Sequence, residues 1–200
     1  AGSPFVSRIA YVNGRYVPHG SASVHIEDRG YQFADGVYEV LEVRGGRLLD
    51  VTRHMARLKR SLGELRIAAP MSEAALRVVI NEVVHRNRVR DGIVYIQVTR
   101  GVAPRDHAFP TVPVRPSLVV TSRTMSLESR EARGAAGIRI ITVPDGRWAR
   151  VDIKTIGLLP NVLAKQAARE AGAVEAWFIA ADGTVTEGAS TNAWIVTRDG

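Results

Sequence analysis

The sequence has no cysteine, and this absence excludes several kinds of chemistry from it at once. Disulfide bonds, zinc sites built on thiolates and cysteine nucleophiles are all ruled out. Long apolar runs are missing as well, since no stretch approaches the roughly 18 residues that a transmembrane helix needs. The five histidines show neither HxH nor HExxH spacing, so no metal site is predicted.

Acidic residues are fewer than basic ones. The 200 residues include 27 Lys and Arg against 20 Asp and Glu, a formal net charge of +7 with histidine neutral. This surplus raises the question of a nucleic-acid partner. The sequence has no compact basic run, no zinc-finger spacing and no aromatic RNA-binding motif, so a basic nucleic-acid-binding module stays a remote alternative. The 46% apolar and 24% charged residues are typical of a globular protein.

Turn signals and apolar periodicity predict a two-domain protein of mixed α/β class. Asn13-Gly14 and Asp182-Gly183 predict hairpin turns, because these residue types tolerate positive φ. Thr52 and Ser72 are predicted helix caps, with helices running to about residues 66 and 88. Further strands are predicted at 36–44, 93–99, 117–122, 138–143 and 192–197, and a further helix at 161–171.

The predicted domain boundaries follow a change in composition. Residues 1–124 are expected to form the first domain, the polar stretch 125–136 a linker, and 137–200 the start of a larger second domain. Asp199-Gly200 is another turn signal without a following strand. We therefore expect the second sheet to be incomplete in this chain.

Three places carry residues suited to chemistry, and each also has an ordinary explanation. Lys154 lies between an irregular stretch and an apolar segment, where burial would favour a neutral, nucleophilic amine; the alternative is an exposed lysine. Arg105 and His107 are two residues apart in a proline-rich loop, and in extended backbone their side chains would face the same way. They could therefore converge on one anion, or simply lie at the surface. Glu187 and Gly188 begin a stretch of small hydroxyl residues that could bind an anion, or that form a polar turn.

Longer strings around these places resemble the class IV (fold type IV) aminotransferases, which use pyridoxal phosphate. The strings are EDRGYQFADGVYEV at 27–40, RHMARL at 53–58, DIKT at 152–155 followed by 158–166, and TEGASTN at 186–192. The strings TRG at 99–101 and PRDHAFP at 104–110 resemble the D-amino acid (D-alanine) aminotransferases within that family. Branched-chain aminotransferases and aminodeoxychorismate lyases share the fold but generally lack this Arg-x-His pairing.

The resemblance implies four residues at the cofactor. Lys154 would form the internal aldimine with pyridoxal phosphate and would then move the substrate proton, as the catalytic residue. Glu187 would face the pyridine nitrogen and keep it protonated. Arg57 would pair with the cofactor phosphate, and Ser190 would add a further contact to the cofactor.

The same resemblance implies the substrate site. Tyr38, Arg105 and His107 would bind the substrate α-carboxylate, the last two reaching it from the partner subunit of a homodimer. Tyr95 and Val40 would line this pocket, and Phe33 is a further expected wall residue. The family pattern has frequent glycine and serine at the positions of Ala34 and Ala189, two small replacements that leave the predicted chemistry unchanged.

The implied activity is transamination of D-amino acids, in which D-alanine and 2-oxoglutarate give pyruvate and D-glutamate. A branched-chain or (R)-amine transaminase of the same fold is the alternative. A homodimer is expected, because the resemblance implies that Arg105 and His107 are shared across subunits. A cytoplasmic location is expected from the family and from the lack of an apolar leader at the first residues. No membrane or nucleic-acid partner is expected. Relatives continue well beyond 200 residues, which again implies an incomplete second domain.

Overall fold

The computed structural model describes residues 8–198. These residues form two compact units, the first made of residues 8–127 and 152–157 and the second of residues 128–151 and 158–198. The turn predicted at Asp199-Gly200 lies outside the described residues. Across residues 8–198, no helix is both long and apolar enough to cross a membrane.

A six-stranded antiparallel sheet forms the centre of the first unit, in the order β2-β1-β6-β5-β3-β4. Its strands are β1 (Ile9–Val12), β2 (Arg15–Pro18), β3 (Gly36–Arg44), β4 (Arg47–Leu48), β5 (Gly92–Thr99) and β6 (Ser117–Thr124). Asn13 and Gly14 have φ values of 48° and 99°, so the first predicted hairpin is confirmed.

Three helices belong to the first unit: α1 (Arg29–Phe33), α2 (Val51–Glu64) and α3 (Glu73–Arg86). The predicted cap of α3 is confirmed, since Ser72 accepts a hydrogen bond from the backbone of Ala75 at 3.2 Å. The cap predicted at Thr52 is wrong. The chain enters α2 through Asp50 in the left-handed conformation, at φ 51°, so Thr52 already lies inside the helix.

The two faces of the sheet differ in burial, and this difference places the site. Val37, Leu41 and Val43 of β3 are fully buried on the face that packs against the helices. Each such apolar side chain contributes about 1.5–3 kcal/mol through burial. Tyr38 and Val40 alternate with them and are only half-buried on the opposite face. The helices supply their own inward stripes to this core, which are Met55, Leu58, Leu62, Leu76, Val79, Ile80 and Val83.

The second unit is built on a three-stranded sheet, β7 (Ile140–Pro144), β8 (Glu175–Ile179) and β9 (Val185–Gly188). Strands β7 and β8 are parallel and are joined through helix α5 (Leu159–Glu170), because parallel neighbours need a crossover connection. Helix α4 (Leu127–Ala136) lies in the stretch predicted as a linker. The small core of this unit consists of Ala164, Ala168, Ala176, Phe178 and Ala189.

The strand predicted at 192–197 is wrong. These residues form no strand, and Trp194, Ile195 and Val196 are 81%, 86% and 91% exposed. Apolar and β-branched residues favour extended backbone, yet a strand also requires a partner that accepts and donates its ladder hydrogen bonds. Within residues 8–198 no neighbouring strand pairs with this segment.

Candidate active site

The segment that carries Lys154 extends the sheet at the edge of β3. The amide of Tyr38 donates to the carbonyl of Lys154 at 3.0 Å, and the amide of Ile156 donates to the carbonyl of Gly36 at 3.1 Å. Gly36 is required here, because a Cβ at this position would lie 2.7 Å from the carbonyl oxygen of Val98. These contacts fix the backbone of Lys154 on the first unit.

The side chain of Lys154 lies against Tyr38 on the half-buried face of the sheet. Its Nζ is 4.5 Å from the centre of the Tyr38 ring, which stacks on Tyr95 with ring centres 5.7 Å apart. Val40 pairs directly with Tyr95 across the strands and therefore lies on the same face. The structure thus brings together four of the predicted site residues.

Tyr95 is the most strongly perturbed of these groups. Burial, with a smaller contribution from Tyr38, raises the pKa of its phenol to about 12. Its hydroxyl donates to Oε1 of Gln97 at 2.7 Å. The phenol therefore remains neutral over the whole physiological pH range.

No carboxylate in the described part of the first unit forms an ion pair with Nζ of Lys154. The amine instead makes a cation–π contact with the face of the Tyr38 ring. An amine beside an aromatic ring, which the described carboxylates of the first unit leave without an ion pair, is suited to react with a carbonyl carbon once it has lost its proton.

Arg57 is engaged by a carboxylate that the sequence analysis did not single out. Glu39 is fully buried, and its two oxygens accept from Nε and Nη2 of Arg57, each at 2.7 Å. Nδ1 of His54 lies 2.7 Å from the same carboxylate. The Arg57 side chain is nevertheless 46% exposed, so its guanidinium lies at a surface while its partner is in the core.

Arg105 and His107 meet at one aromatic ring. The guanidinium carbon of Arg105 lies 5.1 Å from the centre of the Phe33 ring, and the His107 ring centre lies 5.4 Å from it. Both side chains are exposed in the loop between β5 and β6. Both side chains thus contact Phe33, and their convergence on one anion stays a prediction.

Glu187 lies on β9 in the second unit and forms an ion pair with Nη1 of Arg147. Arg147 also donates to both oxygens of Asp145, at 2.9 and 2.8 Å. These hydrogen bonds, above all, hold the pKa of the Asp145 carboxyl well below its usual range. Asp145 in turn fixes the guanidinium whose positive charge faces Glu187.

Ser190 follows Glu187 in a tight turn. Its hydroxyl donates to Glu175 at 2.6 Å. Burial alone would raise the pKa of Glu175, but hydrogen bonds from Ser190, from a backbone amide and from Lys165 lower it overall. Gly188 is required in the turn, because a Cβ there would lie 2.5 Å from Oγ1 of Thr191.

Several site residues had only weak signals in the sequence. Glu39 interrupts the buried apolar positions of β3, and a charge at such a position indicates a buried ion pair. Arg147 carries no comparable signal, since its partner Glu187 is 40 residues away in the chain. Within residues 8–198, no group of acidic or histidine side chains is arranged to hold a metal ion.

Comparison with known proteins places these observations in a family. The model of the amino-transferase class IV family matches residues 36–200. A D-alanine aminotransferase of Bacillus licheniformis is 44% identical over 187 residues, which cover 94% of this chain and 65% of that protein. One from Staphylococcus aureus (strain MSSA476) is 42% identical over 190 residues, covering 95% and 66%. The chain thus spans about two thirds of the length of these relatives.

Solved structures share the fold. The branched-chain amino acid aminotransferase of Escherichia coli superposes with a TM-score of 0.79 at 20% identity, over 92% of this chain and 63% of that chain. A likeness at this identity shows the fold, a mixed α/β architecture, and no more. The family match over most of the chain and the curated relatives above 40% identity show that the chain belongs to the class IV aminotransferases.

Proposed function

We propose that this chain is part of a pyridoxal-phosphate-dependent D-amino acid aminotransferase that converts D-alanine and 2-oxoglutarate to pyruvate and D-glutamate. The observation that carries the proposal is the position of Lys154, whose amine lies 4.5 Å from the Tyr38 ring centre. The D-alanine aminotransferases at 40–44% identity support the substrate class.

The donor set on the chain fits the cofactor. Lys154 offers an amine for an aldehyde, Arg57 a half-exposed guanidinium for a phosphate, and Glu187 a carboxylate for a pyridine nitrogen. Ser190 contributes a hydroxyl close in sequence to Glu187. When bound, pyridoxal phosphate supplies an electron sink for the carbanion left after the amino acid loses its Cα proton.

The residues of the chain would have separate roles in the reaction. Lys154 would accept the Cα proton on Nζ and would then donate it back to complete the 1,3-proton shift. Arg147 would hold the Glu187 carboxylate in place, so that this carboxylate keeps a proton on the ring nitrogen. The neutral Tyr95 and its neighbour Tyr38 would exclude water from one side of the lysine.

Substrate orientation would come from the loop residues. Arg105 and His107 would bind the α-carboxylate together with Tyr38, and Arg105 suits this role because its planar guanidinium matches a carboxylate. A carboxylate held on one side, with the lysine on one face, determines which hand of amino acid presents its Cα proton to the base. Val40 would form part of the wall beside the substrate side chain.

The assembly implied by the family is also a proposal. We place Arg105 and His107 in the site of the partner subunit of a homodimer, because family members share their carboxylate contacts in this way. The domain boundaries 1–124, 125–136 and 137 onward, which we predict from a change in composition, are proposals as well. A cytoplasmic location is proposed from the family.

Steady-state kinetics of the full-length holoenzyme test the substrate class. We expect D-alanine with 2-oxoglutarate to be turned over in preference to L-leucine and to an (R)-amine that lacks a carboxylate. Arg105→Ala should raise the KM for D-alanine by about tenfold or more, since one charge-assisted hydrogen-bonding partner of the carboxylate is lost. A preference for L-leucine, or an unchanged KM in Arg105→Ala, would contradict the proposal and favour the branched-chain alternative.

A further inference from the structure

The loop that carries Arg105 and His107 has little regular structure of its own. It connects β5 to β6 and contains Pro104, Pro110 and Pro113, and residues 104–109 are all exposed. Carboxylate recognition requires both side chains to be held in a fixed orientation. The backbone of this loop must therefore be supported by groups outside it.

Arg29, the first residue of α1, reaches this loop from the interior of the first unit. Its side chain is only 3% exposed. Nη1 donates to the carbonyl of Asp106 at 2.5 Å, and Nη2 donates to the carbonyl of His107 at 3.3 Å. His107 is itself a predicted carboxylate contact, and Asp106 lies between it and the other one, Arg105.

A second buried arginine holds Arg29 through a shared carboxylate. Asp35 accepts from Nε of Arg29 at 2.8 Å and from Nε and Nη2 of Arg100 at 2.7 and 2.9 Å. Arg100 also donates to the carbonyls of Leu65 and Arg66, just beyond the end of α2. Arg29, Asp35 and Arg100 thus connect the loop both to α1 and to the residues that follow α2.

Charge and packing strengthen this support. The two guanidiniums share the Asp35 carboxylate, which orients both of them. The pKa of Asp35 is lowered because hydrogen bonds from Arg100 and Arg29 outweigh the opposing effect of burial. Phe33 contacts Arg29, Arg105 and His107 with the same ring.

We propose that Arg29 is a positioning residue for the substrate-carboxylate site: it fixes the Asp106–His107 backbone, and Asp35 with Arg100 fixes Arg29. The inference rests on the proposed function, in which Arg105 and His107 bind the α-carboxylate. Arg29 acts through these residues and does not itself contact the substrate.

The test is a steady-state comparison of Arg29→Lys with wild type in the full-length holoenzyme. Lysine keeps the charge, but its three N–H donors lie on one nitrogen and cannot reach Asp35 and both loop carbonyls as the planar guanidinium does. We expect the KM for D-alanine to rise on the order of tenfold, with kcat changed by less than about threefold. Arg77→Lys is the matched control, because Arg77 pairs with Glu73 on the exposed surface of α3, and its KM should stay at the wild-type value.

A purely structural role for Arg29 would give a different result, namely a smaller active fraction and a lower kcat at unchanged KM. The double variant Arg29→Lys/Arg105→Ala tests whether the effect of Arg29 on substrate binding depends on Arg105. If Arg29 acts through Arg105, Arg29→Lys raises KM several-fold less in the Arg105→Ala background than alone.

An unchanged KM in Arg29→Lys, with Arg105→Ala raising it, overturns the inference and leaves the proposed function intact. An unchanged KM in Arg105→Ala overturns the proposed function itself. Should Arg29→Lys fail to retain cofactor, the isosteric Asp35→Asn replaces it, with the same expected rise in KM and the same refuting result.

Discussion

Arg57 and Glu39 should respond unequally to substitution, because only one member of their ion pair is buried. Glu39 is fully buried in the core face of β3, whereas the Arg57 side chain is 46% exposed. Arg57→Ala leaves the carboxylate in the core without two of its hydrogen bonds. Glu39→Leu leaves a guanidinium that can turn into water, and the new leucine lies among Val37 and Leu41.

The structure sets the size of this asymmetry. Loss of one partner from a buried ion pair costs about 3–5 kcal/mol, and the remaining contact with His54 places Arg57→Ala at about 3 kcal/mol. Replacing the buried charge by an apolar side chain of similar volume is close to neutral, so Glu39→Leu should cost within about 1 kcal/mol. The double variant should resemble Glu39→Leu alone.

Native-state hydrogen exchange with mass spectrometry measures these free energies locally, on peptides from β3 and α2 of the cofactor-free protein. Arg77→Ala, which removes an exposed ion pair with Glu73, should change the opening free energy of α3 by less than about 1 kcal/mol. Equal losses in Arg57→Ala and Glu39→Leu would refute the reasoning, because they would show that burial of the carboxylate does not decide the cost.

Two further predictions concern titratable groups. Spectrophotometric titration of the protein should find one tyrosine with a pKa of about 12, and this transition should be absent in Tyr95→Phe. If the titration curve of the variant retains that transition, or if the wild type lacks it, the described burial of Tyr95 is wrong. The lowered pKa of Asp145 means that its contribution to stability is present above the unfolded pKa of about 3.9 and is lost as the pH falls through lower values. Thermal unfolding between neutral and acidic pH should therefore show a weaker loss of stability on acidification in Asp145→Asn, and an identical pH dependence in both proteins would contradict this assignment.

Local features of the fold could be predicted from the sequence. Asn13-Gly14 specifies its turn because both residues adopt positive φ, and Ser72 specifies the start of α3 because its side chain accepts a backbone hydrogen bond. The start of α2 was misplaced at Thr52, because a left-handed residue without a side-chain cap leaves no pattern to recognise. The strand expected at 192–197 failed for a similar reason, since β propensity does not supply a partner.

The candidate site was predictable only in part. Tyr38, Tyr95 and Val40 lie on one face of the sheet, and the Lys154 amine lies beside the Tyr38 ring, while the cofactor and substrate roles of these residues stay a prediction. The charged partners were not predictable, because they join distant parts of the chain: Arg29 and the Asp106 carbonyl are 77 residues apart. Such pairs depend on tertiary packing, which periodicity does not encode.

Borohydride reduction of the full-length holoenzyme, followed by peptide mapping, tests the central claim most directly. This sequence holds three lysines, of which Lys59 is exposed on α2 and Lys165 pairs with Glu175. We predict a pyridoxyl group on the peptide that contains Lys154 and on no other. A pyridoxyl group on Lys59, on Lys165 or on a lysine elsewhere, with Lys154 unmodified, would contradict the account.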